Sequence, residues 1–88
     1  MDDISPEQCR AARGLLNWSQ YDLEKQAKVA QKTIANFELG NRSPRADTLT
    51  KLRATLERAG VEFIPENGGG VGVRLKKPHR KPRTKRPG

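Results

Sequence analysis

Apolar residues recur at helical spacing along the first part of the chain and predict a series of short helices. The first is predicted over residues 6–16. Ser5 is placed as its N-cap, Pro6 fits the first helical position, and Gln8 completes a capping box with Ser5. The apolar stripe of this helix consists of Cys9, Ala12 and Leu16, with Ala11 and Leu15 beside it.

The sequence WSQYDL repeats this start signal and predicts a second helix over residues 20–27. Ser19 is the N-cap and Asp22 occupies the third helical position, while Trp18 and Leu23 are placed to form a hydrophobic staple. The connection KVA then leads directly into a further helix. Two helices joined so tightly predict a helix-turn-helix unit.

The third predicted helix, residues 31–39, has one apolar side and one polar side. At about 100° per residue, Ile34, Phe37 and Glu38 fall toward the interior. The opposite side carries Lys32, Ala35, Asn36 and Leu39, flanked by Gln31 and Thr33. This polar side is the candidate interaction surface, and a merely solvated helix face is the alternative.

A fourth helix and two strands complete the predicted elements. The helix begins within residues 44–46 and ends at Gly60. Its apolar stripe is Leu49, Leu52, Leu56 and Ala59. Segments 61–65 and 71–75 flank a glycine-rich turn and predict a β-hairpin, in which Pro65 favours an edge position or a strand end. Since two strands alone are marginally stable in water, the hairpin needs helices or a second subunit to pack on.

Positive charge is concentrated in one segment of the sequence. The chain has 88 residues and a formal net charge of +8, and seven of its 18 Lys and Arg lie in residues 76–88, which contain no acid. The other 75 residues hold 11 basic and 10 acidic side chains, so the predicted domain is nearly neutral. Segment 76–88 is expected to be a disordered basic tail. Three alternatives are open for this tail. It contacts DNA, it contacts RNA or an acidic partner, or it is a solvated extension.

The chain offers no candidate catalytic or metal site. It has one cysteine, Cys9, and one histidine, His79, so no cluster has metal-ligand spacing. No pairing of nucleophile, base or carboxylates suggests an enzyme, and no cofactor is expected. The sequence shows neither a signal-peptide pattern nor an apolar run of about 18 residues. We therefore expect a cytoplasmic protein with no membrane partner.

Residues 8–62 resemble the Cro/phage-repressor (XRE) helix-turn-helix regulators. The resemblance rests on WSQYDL at the start of helix two and on the pattern T-I-x-x-F-E-x-G-x-x-x-P in residues 33–44. It implies a mainly α, lambda-repressor-like fold of four helices, followed here by the short C-terminal β-hairpin. It also implies that double-stranded DNA is bound with helix 31–39 in the major groove.

The resemblance also implies roles for ten side chains. The base-contacting positions are Gln31, Lys32, Thr33 and Asn36. The positions that contact the DNA backbone are Gln20, Asn41, Arg42 and Arg45. A charged pair that ties helix one to helix three consists of Arg13 and Glu38.

The chemistry of these side chains supports the same roles. Lysine can donate to guanine O6 and N7, and asparagine or glutamine presents a donor and an acceptor that fit adenine N6 and N7. Each good base contact contributes about 1–3 kcal/mol of discrimination. Arg42 and Arg45 can neutralise phosphates, which adds salt-dependent affinity without sequence information.

Three positions depart from the family pattern. Lys28 stands where glycine is usual in the turn, Ala30 replaces the usual Ser or Thr cap, and Leu39 replaces a residue that is often polar. A lysine in the left-handed region costs roughly 1–2 kcal/mol, and a lost N-cap costs about 1 kcal/mol. We therefore expect a turn that is less stable, or slightly different in shape.

Together these patterns predict a sequence-specific transcriptional regulator, a repressor or autoregulator that binds a palindromic operator as a homodimer. The predicted division is a helix-turn-helix domain (1–60), a hairpin used for dimerisation (61–75) and the basic tail (76–88). The alternative is an antitoxin or anti-activator whose C-terminal segment 61–88 binds a partner protein.

Overall fold

The computed structural model describes residues 4–76, which form four helices followed by a two-stranded antiparallel hairpin. The elements are α1 (Pro6–Leu16), α2 (Gln20–Ala27), α3 (Gln31–Glu38), α4 (Ala46–Arg58), β1 (Val61–Ile64) and β2 (Gly72–Leu75). This confirms the predicted mainly α fold with a C-terminal hairpin. No helix in the described range is long and apolar enough to cross a membrane. Of the predicted basic tail, residues 77–88 lie outside the described range.

Both predicted capping boxes form. At the start of α1, the Gln8 backbone N–H donates to Ser5 Oγ at 3.0 Å, and the Ser5 N–H donates to Gln8 Oε1 at 2.9 Å. At the start of α2, the Asp22 N–H donates to Ser19 Oγ at 3.0 Å, and the Ser19 N–H donates to Asp22 Oδ2 at 2.9 Å. These bonds satisfy backbone donors that the helix itself leaves free, so the local sequence defines where each helix begins.

The core lies where the inner faces of all four helices meet β1. Its largest fully buried side chains are Leu23, Ile34, Leu52, Leu56 and Val61, which come from α2, α3, α4 and β1. Helix α1 contributes the small side chains of Cys9 and Ala12, each 0% exposed. Small side chains allow a helix to approach its neighbours closely, so α1 packs against both α3 and the hairpin.

The hairpin packs on helices of its own subunit. Its register pairs Val61 with Leu75 and Phe63 with Val73, and both β1 residues are buried. From α1, Gln8 Nε2 donates to the Gly72 carbonyl oxygen at 2.9 Å and also lies 3.4 Å from the Ile64 carbonyl oxygen. The support that the two strands were predicted to need is therefore provided by α1 and α4.

Three element boundaries differ from prediction by one residue, and α4 ends at Arg58, two residues before the predicted end at Gly60. Helix α3 ends at Glu38 rather than at Leu39, which is its C-cap. Strand β1 ends at Ile64, directly before Pro65. Strand β2 begins at Gly72, one residue later than predicted.

Candidate nucleic-acid interface

Helix α3 separates its side chains into a buried side and an accessible side, as its sequence pattern predicts. Ile34, Phe37 and Glu38 are buried. On the accessible side Lys32 is exposed, and the half-buried residues are Gln31, Thr33, Ala35 and Asn36. None of the four predicted base-contacting side chains is packed inside the subunit.

Two glutamines orient the start of α3 relative to α2. Gln31 Nε2 donates to Gln20 Oε1 at 2.8 Å, and Gln20 Nε2 donates to Glu38 Oε1 at 3.0 Å. Gln20 therefore bridges the first and last residues of α3. A side chain held in this way loses less conformational freedom when it binds a ligand, so Gln31 is preorganised for contact.

Glu38 anchors α3 to α1 from the inner side. Arg13 Nη2 lies 2.7 Å from Glu38 Oε1, and Arg13 Nε lies 2.8 Å from Glu38 Oε2, so the ion pair is bidentate. The Glu38 side chain is 3% exposed and that of Arg13 is 18% exposed. Arg13 also donates through Nη1 to the Trp18 carbonyl oxygen at 3.0 Å, which links the α1–α2 connection to the same cluster.

The hydrogen bonds around Glu38 keep it ionised. Burial by itself would raise the pKa of the Glu38 carboxyl, but hydrogen bonds from Arg13, Gln20 and Cys9, together with the Arg13 charge, lower it below its ordinary value. The hydrogen bonding between Arg13 and Glu38 also raises the pKa of the Arg13 guanidinium. Both partners are therefore charged at neutral pH, and the pair holds α3 at a defined position on α1.

Two further residues of α1, which the sequence patterns did not identify as part of the site, join the cluster around Glu38. Cys9 Sγ donates to Glu38 Oε2 at 3.1 Å, and Arg10 Nη1 donates to the Glu38 backbone carbonyl oxygen. Burial and the hydrogen bond to Glu38 raise the pKa of the Cys9 thiol, so it remains a protonated donor. Cys9 was predicted to be a core residue, and it is buried as well as hydrogen-bonded. The signal in the sequence that could have identified Arg10 is its position beside Arg13 on one turn of α1.

The turn between α2 and α3 carries two of the three departures from the family pattern, Lys28 and Ala30. Lys28 is in the left-handed conformation, with φ 61° and ψ 41°, and its N–H donates to the Glu24 carbonyl oxygen at 2.8 Å. Ala30 is the N-cap of α3 and makes no side-chain cap hydrogen bond. Lys28 therefore adopts the left-handed conformation without being glycine, at a cost of roughly 1–2 kcal/mol in backbone strain.

The loop after α3 is closed by backbone bonds and exposes its polar side chains. The Gly40 N–H donates to the Phe37 carbonyl oxygen at 2.9 Å, and the Asn41 N–H donates to the Asn36 carbonyl oxygen at 3.0 Å. With Gly40 at φ 79°, these two bonds form a Schellman motif. The side chains exposed along this loop are Leu39, Asn41, Arg42, Ser43 and Arg45. Arg45 lies 3.7 Å from Asp47, but both side chains are largely exposed, so this pair contributes little to stability.

Comparison with known proteins agrees with this geometry. A family model described as helix-turn-helix matches residues 10–63, which is more than half of the chain. The matched region contains all four α-helical elements except the first turn of α1, and it extends into β1. No curated protein matches the sequence.

Proposed function

Because the chain belongs to the Cro/C1-type helix-turn-helix (XRE) family of DNA-binding regulators, we propose that it regulates transcription by placing α3 in the major groove of a specific operator. The observation that carries this proposal is the division of α3, whose inner residues are fixed on α1 and α2 while its outer residues are accessible. An α-helix fits the major groove, and side chains at its N-terminal end can reach base edges.

Base readout is proposed for Gln31, Lys32, Thr33 and Asn36. The exposed Lys32 ammonium suits guanine O6 and N7, whereas the Asn36 amide suits adenine N6 and N7. Ala35 lies between them and is small enough to allow close approach or to contact a thymine methyl. The bond from Gln31 to Gln20 supports readout at a defined position, because it fixes the amide before DNA is bound.

Contacts with the sugar-phosphate backbone are proposed for Gln20, Asn41, Arg42 and Arg45. Gln20 is the first residue of α2, where unpaired backbone N–H groups favour an anion such as phosphate. Asn41, Arg42 and Arg45 are exposed on the loop that follows α3. These contacts would position the protein and make its affinity fall with rising salt, without selecting a sequence.

We further propose that the protein acts as a homodimer on a palindromic operator and represses transcription, including that of its own gene. One short recognition helix reads few base pairs, so a second copy is needed for selectivity. The two half-sites would then lie about 34–36 Å apart, one turn of DNA. In this proposal residues 1–60 bind DNA, the hairpin at 61–75 joins the subunits, and the tail at 76–88 adds non-specific attraction.

Selected operator sequences provide the direct test. After selection from a random duplex library, fluorescence anisotropy would compare the selected duplex with a scrambled one. We expect Lys32→Ala and Asn36→Ala each to weaken binding to the selected duplex by about 1–3 kcal/mol and to affect the scrambled duplex less. Arg42→Ala should weaken both duplexes similarly. Lys51→Ala, which removes an exposed lysine on α4, is the matched control. Equal losses on both duplexes for Lys32→Ala would contradict base readout.

A second candidate function is favoured by the hairpin. Val71, which directly precedes β2, and Leu75 on β2 are 46% and 39% exposed, so the hairpin presents apolar surface to solvent. An antitoxin or anti-activator would use this surface, within segment 61–88, to bind another protein. Co-purification of a stoichiometric partner from native cells, held through residues 61–88, would support that function over dimerisation.

A further inference from the structure

A groove between α2 and α4 carries positive charge that the proposed DNA interface does not use. Its volume of about 470 Å³ lies within the range of ligand-binding clefts. Lys28, the C-cap of α2, lines one wall, and Lys51 and Arg58 of α4 line the other. No acidic side chain lines the groove, and its remaining lining residues are alanine, threonine and glutamine. Both walls of the groove are therefore cationic.

The three cations have no counter-charge in the described part of the chain. Lys28, Lys51 and Arg58 are exposed, and none of them forms an ion pair or a side-chain hydrogen bond within residues 4–76. On the same helix, in contrast, Arg53 pairs with Glu57 at 2.9 Å. Cations grouped around one cleft raise the local positive potential, which favours an anionic ligand.

Lys28 adds an observation of a different kind. Its backbone is in the left-handed region, with φ 61° and ψ 41°, which is strained for lysine and relaxed for glycine. Its side chain does not offset this strain within residues 4–76, since it is exposed and bonds to no other residue there. Strain that persists without stabilising the fold points to a function for the side chain.

The groove lies apart from the residues that are proposed to contact DNA. None of those residues lines it. Arg58 ends α4, and the 13 residues of this helix extend roughly 20 Å from the loop that carries Arg42 and Arg45. A ligand in the groove therefore leaves the outer side of α3 accessible.

The spacing of the cations favours a peptide over a small anion. Lys51 and Arg58 are separated by two helical turns, or roughly 10 Å along α4. Carboxylates spaced along a peptide can reach the two cations separately, whereas one phosphate would have to draw both side chains together and restrict their freedom. Ala27 and Ala54 also line the groove, and their small side chains leave room for a peptide backbone.

We propose that this groove binds an acidic segment of a partner protein, with carboxylates pairing with Lys28, Lys51 and Arg58. This surface is separate from the outer side of α3 and from the hairpin. The partner is therefore bound while α3 is in contact with DNA, which gives the regulator a second attachment point beyond the proposed function.

Matched charge reversals in the full-length protein test this proposal. The probe is fluorescently labelled hexaglutamate, whose dissociation constant is measured by anisotropy. Lys51→Glu and Lys25→Glu change the net charge equally, but Lys25 is exposed on α2 and does not line the groove. General attraction to the basic chain is therefore the same in both variants. We expect Lys51→Glu to raise the dissociation constant by roughly three- to tenfold and Lys25→Glu by less than about twofold. Equal changes would overturn the proposal.

Lys28→Gly separates a role in binding from a role in folding. Glycine relieves the left-handed strain, so the free energy of unfolding should rise while the affinity for hexaglutamate falls by about two- to fivefold. Lys25→Gln removes the same charge outside the groove and should change the affinity less. A lysine that matters only for the turn would leave hexaglutamate binding unchanged in Lys28→Gly, and that result would contradict the proposal.

Two further ligands test the class of partner. Inorganic phosphate should displace hexaglutamate no better than chloride at equal ionic strength, and selective displacement by phosphate would make the groove a small-anion site instead. With an operator duplex as the ligand, Lys51→Glu and Lys25→Glu should weaken binding equally. A larger loss for Lys51→Glu would assign the groove to the DNA backbone and overturn the proposal.

Discussion

Helix α1 has two neighbours, α3 and the hairpin, and the two contacts are built from different interactions. Toward α3, a single buried carboxylate, that of Glu38, accepts hydrogen bonds from Arg13 and Cys9 of α1, and it also accepts one from Gln20 of α2. Toward the hairpin, Gln8 forms the polar side-chain bonds, and the hairpin buries the apolar side chains of Val61 and Phe63 in the core.

The difference between these contacts follows from what each must hold. Apolar burial is non-directional, so it stabilises the hairpin while tolerating small shifts. Hydrogen bonds to a carboxylate depend on distance and angle, so they hold α3 in one orientation. Buried ion pairs add little net stability once desolvation is included. The α3 contact is thus suited to positioning the proposed recognition helix, and the hairpin contact to supporting the proposed surface for assembly.

The largest effect on stability is expected when the contact between α1 and α3 loses the Arg13 cation. Arg13→Ala leaves the buried Glu38 carboxylate without its bidentate partner, and we expect the free energy of unfolding to fall by about 3 kcal/mol. Urea denaturation followed by circular dichroism would measure this. Arg13→Lys keeps the charge but loses the second hydrogen bond, so its loss should be smaller. An Arg13→Ala loss below about 0.5 kcal/mol, the range of ordinary surface substitutions, would show that the pair does not hold α3.

The apolar contact should lose less when a side chain is shortened. Val61 is 0% exposed, and Val61→Ala removes two methyl groups from the core, so we expect a loss of about 2 kcal/mol. The same denaturation experiment measures it, with the exposed Val71→Ala as the matched control. A loss as small as that of the control would mean that the hairpin is not packed on α1 and α4 as described.

The two contacts should also differ in their response to acid. The pKa of Glu38 is lowered in the folded state, so the carboxylate stabilises the protein above the ordinary glutamate pKa of about 4.3, and this stabilisation is lost as the pH falls further. Each unit by which the pKa is lowered corresponds to about 1.4 kcal/mol at neutral pH. Glu38→Gln should therefore be less stable at pH 7 and should lose less further stability between pH 5 and pH 3 than the unmodified protein.

The matched control for this acid response is Glu62→Gln. The pKa of Glu62 is also lowered, chiefly by its hydrogen bond to Arg74, but this carboxyl is solvent-exposed on the hairpin. Solvent screening should make its contribution small. Stability curves of equal slope for the unmodified protein and Glu38→Gln would contradict an ionised Glu38 in the fold.

The smallest effect is expected at the turn that leads into α3. Lys28 and Asn17 are both left-handed, with φ 61° and φ 59°. Asparagine tolerates this region, whereas lysine is strained there. Lys28→Gly should raise the free energy of unfolding by about 0.5–1 kcal/mol, after the entropic cost of glycine is deducted, and Asn17→Gly should change it little. Equal changes at the two positions would show that the turn carries no strain specific to lysine.

The sequence alone determined where α1 and α2 begin and which side of α3 is buried. Capping boxes at Ser5 and Ser19 act within four residues, and the spacing of Ile34 and Phe37 specifies a buried side on a helix of known period. Such signals are local, so they can be read without knowing the neighbours. Arg13 and Glu38 were paired by family resemblance, and the structure brings them together.

Contacts between distant residues were decided only by the tertiary structure. Gln8 is a capping residue in the sequence, yet its side chain also bonds to Gly72, 64 positions away. Cys9 and Arg10 are hydrogen-bonded to Glu38, and Gln31 is hydrogen-bonded to Gln20, because the packing of α1, α2 and α3 brings these residues together. Hydrogen bonds act over about 3 Å, and no local pattern of polar residues specifies which helices come within that distance.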